Sequence, residues 1–311
     1  MVALRATRPL AVHRQGPAVL RPGSAVRGPG SLSAYWRFQR AVTAAQLAAW
    51  LPGRQQRLLD ISGPGSLDAW QATAAGHIVL HVGVPLAGQP AAPGQPAAAG
   101  QPAASHQPTA AGPPEGKALQ AQGKPGGPHA PGQLVPVLAD PASLSFLADG
   151  SVDGVIADDS ALSRHLMAED ITAEITRVLR PGGRLLACVD SLVLGMSVLA
   201  EQAQWAQLTD LPQAEVVLVP WPDGTITRCF GPDQLHELLT EAGLEVSWIR
   251  PRTILSPSTV DHVLRLDPGA MSRLVRAELR AGAAQSSRPG SESFGIYLLA
   301  AARKPGRRHP S

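Results

Sequence analysis

The chain has 311 residues, of which 44% are hydrophobic, 16% charged and 4% aromatic, and it contains 31 Gly and 30 Pro. This mixture indicates one folded core with long disordered segments. Cys188 and Cys229 lie far apart and form no C-x-x-C motif, so a disulfide framework or zinc site is not expected and a reducing cytoplasm fits. The net charge of +3 is a weak hint of an anionic partner, and no apolar run is long enough to predict a membrane span.

Residues 1–32 are predicted to form a disordered basic tail. No acidic residue precedes Asp60, whereas nine arginines do. A basic tail of this kind occurs in proteins that bind nucleic acids or membrane surfaces and in transit peptides, but it can also be a plain solvated segment. Because the basic residues do not interleave with aromatic ones, we do not expect a nucleic-acid partner.

The first structured unit combines a helix, two strands and a glycine-rich turn. A helix is predicted over residues 33–51, ended by Pro52-Gly53. Residues 57–61 and 77–82 are short apolar strands, and Ser62-Gly-Pro-Gly65 leads into a helix near residues 67–75. A strand, a glycine-rich turn, a helix and a second strand in this order are typical of one half of a nucleotide-binding fold. A plain tight turn in an α/β fold would give the same sequence pattern.

Residues 87–133 interrupt this pattern, since they are nearly all Ala, Gly, Pro, Gln and Ser and repeat Gly-Gln-Pro-Ala-Ala at a six-residue period. A tract of this composition cannot bury a core, and we predict a disordered insert. The period is also too short for a solenoid repeat of about 20–50 residues.

Strands and helices alternate again after the insert. Strands are predicted over 134–139, 152–157, 184–189, 244–249 and 294–302. Helices are predicted from about residue 162 to Pro181-Gly182-Gly183, over 231–243, and from Asp267-Pro268 onward. We therefore predict one α/β domain, residues 33–86 and 134–304, with a doubly wound, mostly parallel seven-stranded sheet and a disordered tail over 305–311. Such sheets bind ligands beyond the carboxyl ends of their strands.

Five segments together resemble class I S-adenosylmethionine (SAM)-dependent methyltransferases of the small-molecule type. They stand in the order of that family's motifs: Leu58-Leu-Asp-Ile-Ser-Gly-Pro-Gly-Ser66, Gly76-His-Ile-Val-Leu-His-Val82, Asp140-Pro-Ala-Ser-Leu-Ser-Phe146, Asp149-Gly-Ser-Val-Asp-Gly-Val-Ile-Ala157 and Glu174-Ile-Thr-Arg-Val-Leu-Arg-Pro-Gly-Gly-Arg184. The resemblance implies a Rossmann-like sandwich, SAM as cofactor and a small-molecule methyl acceptor.

The resemblance also implies binding roles for particular residues. The methionine part of SAM would lie beside Asp60, Ser62, Gly63 and Gly65. The adenine would meet the acidic turn Asp140-Pro141, and Asp158 with Asp159 would approach the sulfonium or the acceptor. Structural alternatives stay open, because Asp140 is also a good helix N-cap and Asp158 and Asp159 could be solvated caps of the helix that follows.

Three departures from the family pattern bear on activity. The glycine loop is one residue short, and Gly83 stands where the family grips the ribose hydroxyls with a carboxylate. The helix expected between the second and third strands is replaced by the insert, which would leave part of a sheet face for a protein partner or a second copy to cover. A non-catalytic, partner-binding protein is therefore the alternative to a methyltransferase. A nicotinamide oxidoreductase would want G-x-G-x-x-G and an acidic ribose ligand, and the sequence has neither.

No general base stands out in the sequence. His165, Asp159 and His262 are the weak candidates, and a lone histidine is more often structural. Trp205, Trp221 and the Pro222-Asp-Gly224 turn fall where family members often build the acceptor cap, although they could equally pack a satellite core.

Overall fold

A computed structural model describes residues 34–63, 66–83, 131–141, 143–211, 214, 216–221, 223–286 and 295–306. The strands are β1 Arg57–Asp60, β2 Ile78–Val82, β3 Gln133–Val137, β4 Val152–Ala157, β5 Leu179–Asp190, β6 Val217–Pro220, β7 Ile226–Cys229, β8 Glu245–Arg252 and β9 Tyr297–Arg303. The α-helices are α1 Ala34–Trp50, α2 Asp68–Ala74, α3 Ala168–Val178, α4 Leu192–Glu201, α5 Trp205–Asp210, α6 Pro232–Glu241, α7 Pro257–Leu266 and α8 Met271–Ser286.

Seven strands form one sheet in the order β3-β2-β1-β4-β5-β9-β8. The strands from β3 to β5 run parallel, while β9 runs antiparallel between β5 and β8. This confirms the predicted doubly wound, mostly parallel sheet. The chain winds outward from β1 to β3 and then returns to the other side of β1 with β4. The switch point therefore lies between β1 and β4.

Helices cover both faces of the sheet. On one face α3 and α6 bury Ile171, Ile175, Leu235 and Leu239 against it. On the other face α1, α2 and α4 do the same, with Leu47, Trp50 and Val198 among the buried side chains. Burial of each large apolar side chain stabilises the fold by about 1.5–3 kcal/mol. Gly154 of β4 is required here, because a Cβ at this residue would lie 2.9 Å from Leu58 and 3.1 Å from the Trp50 ring.

The long helix predicted after β4 is divided into two pieces. A 3-10 turn, Leu162–Arg164, precedes α3, and the two are separated by His165–Met167, of which His165 is extended. The helix also ends earlier than predicted, at Val178, and Pro181–Gly183 lie within β5 as a bulge between the pairs Val152↔Leu179 and Gly154↔Arg184. Gly182 has φ +80°, which allows the tight path.

Other boundaries moved by fewer residues. Gln133, which we predicted to be the last residue of the insert, is the first residue of β3. Residues 87–130 of the predicted insert lie outside the described residues, as do 1–32 and 307–311 of the predicted tails and the prediction about an uncovered sheet face. Among the described helices, none combines the length and the apolar character that crossing a membrane would require.

A small third core joins α1 to the α7–α8 pair inserted between β8 and β9. Tyr35, Phe38 and Val42 of α1 pack there against Val260 and Leu264 of α7. Polar contacts fix the same junction, because the Tyr35 amide donates to Asp261 at 2.9 Å. The amino-terminal helix is therefore held by both the sheet and the late helical pair.

Glu278 of α8 ties this helical pair to the end of β8. Its carboxylate, 2% exposed, accepts the Ile254 amide at 2.7 Å and the Leu255 amide at 3.0 Å. We expect Glu278→Ala to lower the free energy of unfolding by about 2–3 kcal/mol, because two buried amides lose a charged acceptor. Denaturant unfolding measures this, with Glu278→Gln, which keeps one acceptor oxygen, as the milder control. Equal stability of the alanine variant and the wild type would contradict the expectation.

Candidate functional site

The carboxyl ends of β1 and β4 meet at the switch point and carry most of the predicted site. Asp60 is the last residue of β1 and is fully buried. Asp158 follows the last residue of β4 and is 5% exposed. The turn after β1 connects them, since the Ser62 hydroxyl accepts the Asp158 amide at 2.9 Å. The structure thus brings Asp60, Ser62 and Asp158 together.

Asp60 organises the turn and the neighbouring strand. One of its carboxylate oxygens accepts the Ser62 amide at 3.0 Å and the Ser62 hydroxyl at 2.6 Å. The other lies 2.9 Å from Nδ1 of His81, the β2 residue paired with it in the sheet. In this contact an ionised Asp60 accepts, and the tautomer of His81 that carries its proton on Nδ1 donates. Both oxygens of the Asp60 side chain are therefore used in contacts within the protein.

The glycine turn is tight and needs Gly63. This residue has φ +110°, and a Cβ on it would approach Nη2 of Arg164 to 3.4 Å. The Ser66 amide donates back to the Gly63 carbonyl at 3.1 Å, and the Ser66 hydroxyl accepts the Asp68 amide at 3.1 Å at the start of α2. Gly65, which we predicted to flank the ligand, lies outside the described residues.

Asp158 forms a buried ion pair with Arg252 at the end of β8. The two side chains are 7% and 5% exposed, and Nη1 of Arg252 lies 2.6 and 3.0 Å from the two carboxylate oxygens. Burial alone would raise the pKa of Asp158, but the Arg252 guanidinium outweighs burial and holds that pKa below its usual range. Arg252 also donates from Nε to Gln46 of α1 at 2.7 Å, while its buried Nη2 has no partner among the described residues.

Asp68, in the first turn of α2, is a second buried carboxyl beside this pair. It is 6% exposed. Burial, together with the charges of Asp158 and Asp60, raises its pKa to about 9, and Arg252 opposes the change. Asp68 is therefore protonated at neutral pH, while Asp158 is ionised.

The backbone after β4 is unusual, because two consecutive non-glycine residues have positive φ. Asp159 has φ 51° and Ser160 φ 56°. Residues held in this region cost about 1–3 kcal/mol each and cluster at functional sites. Burial raises the pKa of Asp159 to about 7, against the lowering effect of Arg164, although its side chain is still 31% exposed. A partly accessible carboxyl that titrates near neutral pH can take or give a proton.

Arg164 spans the crevice from the 3-10 turn. Its Nη2 donates to the Ser62 carbonyl at 2.9 Å, and its Nη1 donates to the Asp159 carbonyl. Nη1 also lies 3.4 Å from a carboxylate oxygen of Asp159. The guanidinium thus joins the turn after β1 to the segment after β4, directly over Gly63.

The acidic turn after β3 lies near the same edge. Asp140 is exposed, Pro141 is half-buried, and the Asp140 carbonyl accepts the Ser143 amide at 3.0 Å. His165, adjacent in sequence to Arg164, is near enough to Asp140 for their charges to interact. Burial lowers the pKa of His165 despite Asp140, so His165 is neutral at pH 7.

Two predicted positions have a different setting. Gly83 follows β2, and its amide donates to the Val137 carbonyl at 3.2 Å, so its backbone continues the pairing with β3. His262 is exposed on α7, a helix that packs on α1 and on residues 268–270. The structure does not gather His262 with the other predicted site residues.

The wall on the β5 side is built from polar residues and a hairpin. The Ser160 hydroxyl donates to Asp190 at 2.5 Å, and the Ser163 hydroxyl accepts the Asp190 amide at 2.8 Å. The antiparallel hairpin β6–β7 stands next to the 3-10 turn and is held by the bond from Trp221 Nε1 to Thr227 at 2.7 Å. Trp205, the other tryptophan of this region, is 63% exposed on α5.

Sequence reasoning missed four side chains of this site, namely His81, Arg164, Asp68 and Arg252. Two of them carried a local signal, since Asp68 follows the glycine turn and His81 ends an apolar strand. Arg252 lies 94 residues from Asp158 and 206 from Gln46, and no short motif could reveal those contacts.

No protein-family model matches the chain, and a search of curated proteins finds no match. Solved structures give fold-level similarities. A SAM-dependent methyltransferase from Methanosarcina mazei is 14% identical, with 84% of this chain and 98% of that one covered and a TM-score of 0.46. A Burkholderia thailandensis 1,6-didemethyltoxoflavin-N1-methyltransferase is 16% identical, covering 87% and 81%, at 0.45. A SAM-dependent methyltransferase from Mesorhizobium loti is 13% identical, covering 86% and 100%, at 0.45.

Proposed function

We propose that this protein binds SAM at the carboxyl edge of its sheet and transfers the methyl group to a small-molecule acceptor. The observation that carries the proposal is the linkage at the switch point, where Asp60, Ser62 and Asp158 form one hydrogen-bonded unit. In open α/β sheets this crevice is the ligand site. Three of the segments that resemble methyltransferase motifs, residues 58–66, 76–82 and 149–157, reach this edge with the carboxyl end of a strand.

The chemistry of the crevice fits a cationic nucleoside. Asp159 is a partly exposed carboxyl there, while Asp60 and Asp158 are buried and bonded within the protein and Asp68 is a neutral acid beside them. Two backbone carbonyls, of Ser62 and Asp159, already hold a guanidinium there. In the proposal the turn at Gly63 and Asp158 contact the methionine part, and Asp140 with Pro141 contacts the adenine.

SAM supplies a methyl group on a sulfonium, which is a good leaving group. The protein then needs to align the acceptor with that methyl and exclude water, and such positioning can supply most of the rate. Asp159 is the best-placed proton acceptor, because its pKa of about 7, raised by burial, matches a neutral working pH. His165 is a second candidate, since it is neutral and half-buried near the same edge.

A non-catalytic protein that binds a partner is the second candidate function. Gly83 favours it, because it lacks the carboxylate that would hold the ribose in the family the sequence resembles. A charge-assisted hydrogen bond of that kind contributes about 1.5–3 kcal/mol, so its loss weakens a nucleoside ligand roughly ten- to a hundredfold. The two functions differ in whether SAM binds at all.

Calorimetric titration with S-adenosylhomocysteine, the demethylated product, tests the proposal. We expect binding by the wild type, and we expect Asp140→Asn to weaken it by about 1–3 kcal/mol because a charged hydrogen-bond acceptor is lost. Asp170→Asn on the exposed side of α3 is the matched control and should bind as the wild type does.

Failure of the folded wild type to bind at millimolar ligand would favour the partner-binding function instead. Binding that Asp140→Asn leaves unchanged would remove only Asp140 from the site. If binding occurs, transfer of a labelled methyl group to a panel of small hydroxyl, amine and carbon acceptors then identifies the acceptor class.

A further inference from the structure

Arg164 occupies a cation site inside the crevice. Three oxygens converge on its guanidinium, namely the carbonyls of Ser62 and Asp159 and a carboxylate oxygen of Asp159. The Ser62 carbonyl belongs to the turn after β1, and both Asp159 oxygens belong to the segment after β4. The site therefore spans the switch point, where an open α/β sheet takes its ligand.

The backbone that forms this site is strained. Asp159 and Ser160 both have left-handed φ angles, 51° and 56°, although neither is glycine. This conformation turns the Asp159 carbonyl toward Arg164 instead of continuing the direction of β4. Strain of this kind is retained where it has a use, and here two oxygens of one residue, Asp159, lie around one cation.

Arg164 is held there by contacts that a ligand could replace. Two of its acceptors are neutral carbonyls, and its distance to the Asp159 carboxylate is 3.4 Å, longer than in a close ion pair. The Arg164 side chain is 40% exposed, so its guanidinium can turn into water at little desolvation cost. Arg252, by contrast, is 5% exposed and holds both oxygens of Asp158.

We propose that Arg164 is an internal competitor, whose guanidinium fills the crevice of the free protein until the primary ammonium of a bound amino-acid group displaces it. An ammonium has three N–H donors, which match two carbonyls and one carboxylate oxygen. The proposal rests on the proposed function, in which the ligand is SAM and carries such an ammonium. It makes Arg164 an autoinhibitory contact that weakens binding of the cofactor.

The test compares two ligands on two proteins. S-adenosylhomocysteine has the ammonium, and 5′-methylthioadenosine has the same nucleoside without the amino-acid group. We expect Arg164→Met to bind S-adenosylhomocysteine at least tenfold more tightly than the wild type and 5′-methylthioadenosine with unchanged affinity, both measured by calorimetry. Arg164→Gln should behave in the same way, and thermal unfolding verifies that each variant is folded.

Arg180→Met is the control, because Arg180 is a comparably exposed arginine in an ion pair with Asp153 at the opposite end of the sheet. Weaker S-adenosylhomocysteine binding by both Arg164 variants would overturn the proposal and make Arg164 a ligand contact. Equal tightening for both ligands would also overturn it, because Arg164 would then merely obstruct the crevice. If neither ligand binds to any folded protein, the proposed function itself fails. If 5′-methylthioadenosine binds but the Arg164 variants and the wild type bind S-adenosylhomocysteine equally tightly, only the proposal about Arg164 fails.

Discussion

Replacement of Arg252 by methionine is expected to lower the free energy of unfolding by about 3–5 kcal/mol, because it leaves the Asp158 carboxylate buried without its cation. Asp158 is 7% exposed and receives both of its charged bonds from one nitrogen of Arg252. The same substitution removes the bond from Arg252 to Gln46, which ties α1 to the end of β8. Denaturant unfolding at neutral pH gives the magnitude.

Two further variants separate the ion pair from packing. Arg252→Met combined with Asp158→Asn should recover most of the lost stability, since no unpaired charge then remains buried. Arg250→Met, two residues earlier in β8, removes an arginine that lies 4.3 Å over the Trp248 ring and should cost about 1 kcal/mol or less. Equal losses for Arg252→Met and Arg250→Met would show that the buried pair has no special role.

The hydrogen-bond network around Arg252 links residues that are far apart in the sequence. Hydrogen bonds run from Gln46 through Arg252, Asp158 and Ser62 to Asp60. They cross the carboxyl edge of the sheet and end at His81 on β2. A buried network in which each member holds the next rigidifies its surroundings. The glycine turn is therefore positioned by β8 and α1 as well as by its own sequence.

The periodicity of apolar residues and the positions of turn-forming residues were sufficient to predict the main helices and strands. The strand predicted over 152–157 matches β4 residue for residue, and the helix before Gly243 begins at Pro232 as the proline predicted. These signals are local, because a strand in a covered parallel sheet must be apolar and a helix start favours proline.

Local signals failed where tertiary contacts decide the path. The helical spacing from residue 162 onward gave no sign of the break at His165–Met167, where Arg164 turns to contact Ser62. Pro181–Gly183 would suit a helix end, yet the segment bulges within β5 and keeps its pairing with β4 on both sides. The hairpin β6–β7 was not predicted, although Trp221 and the turn that follows it were noted.

In the candidate site, too, some positions could be predicted from the sequence and others could not. Motif residues such as Asp60 and Asp158 lie at strand ends, and their positions follow from the fold. The positions of their partners do not, because Arg252 contacts Asp158 across 94 residues of sequence and Arg164 contacts Ser62 across 102. The chemical state of the site depends on those partners, since Arg252 lowers the pKa of Asp158 against the effect of burial.

Asp68 gives the clearest pH dependence. Burial and the neighbouring Asp158 raise its pKa from 3.8 to about 9. The folded protein therefore binds a proton that the unfolded chain has already lost above about pH 4. Stability falls with rising pH wherever the folded state binds more protons. The free energy of unfolding should thus decline between about pH 4 and pH 9, by up to about 1.4 kcal/mol per pH unit from this group.

Asp68→Asn should abolish that decline, because the amide resembles the protonated acid and cannot ionise. Its stability relative to the wild type should rise between pH 5 and pH 8 by about 2–4 kcal/mol, measured by urea unfolding at each pH. Asp68→Ala should show the same loss of pH dependence, but with a lower free energy of unfolding at every pH. This substitution removes both the titrating group and the packing of the side chain. A difference between Asp68→Asn and the wild type that stays constant across this range would mean that Asp68 carries no proton there, and that the buried carboxyls are arranged around Arg252 in another way.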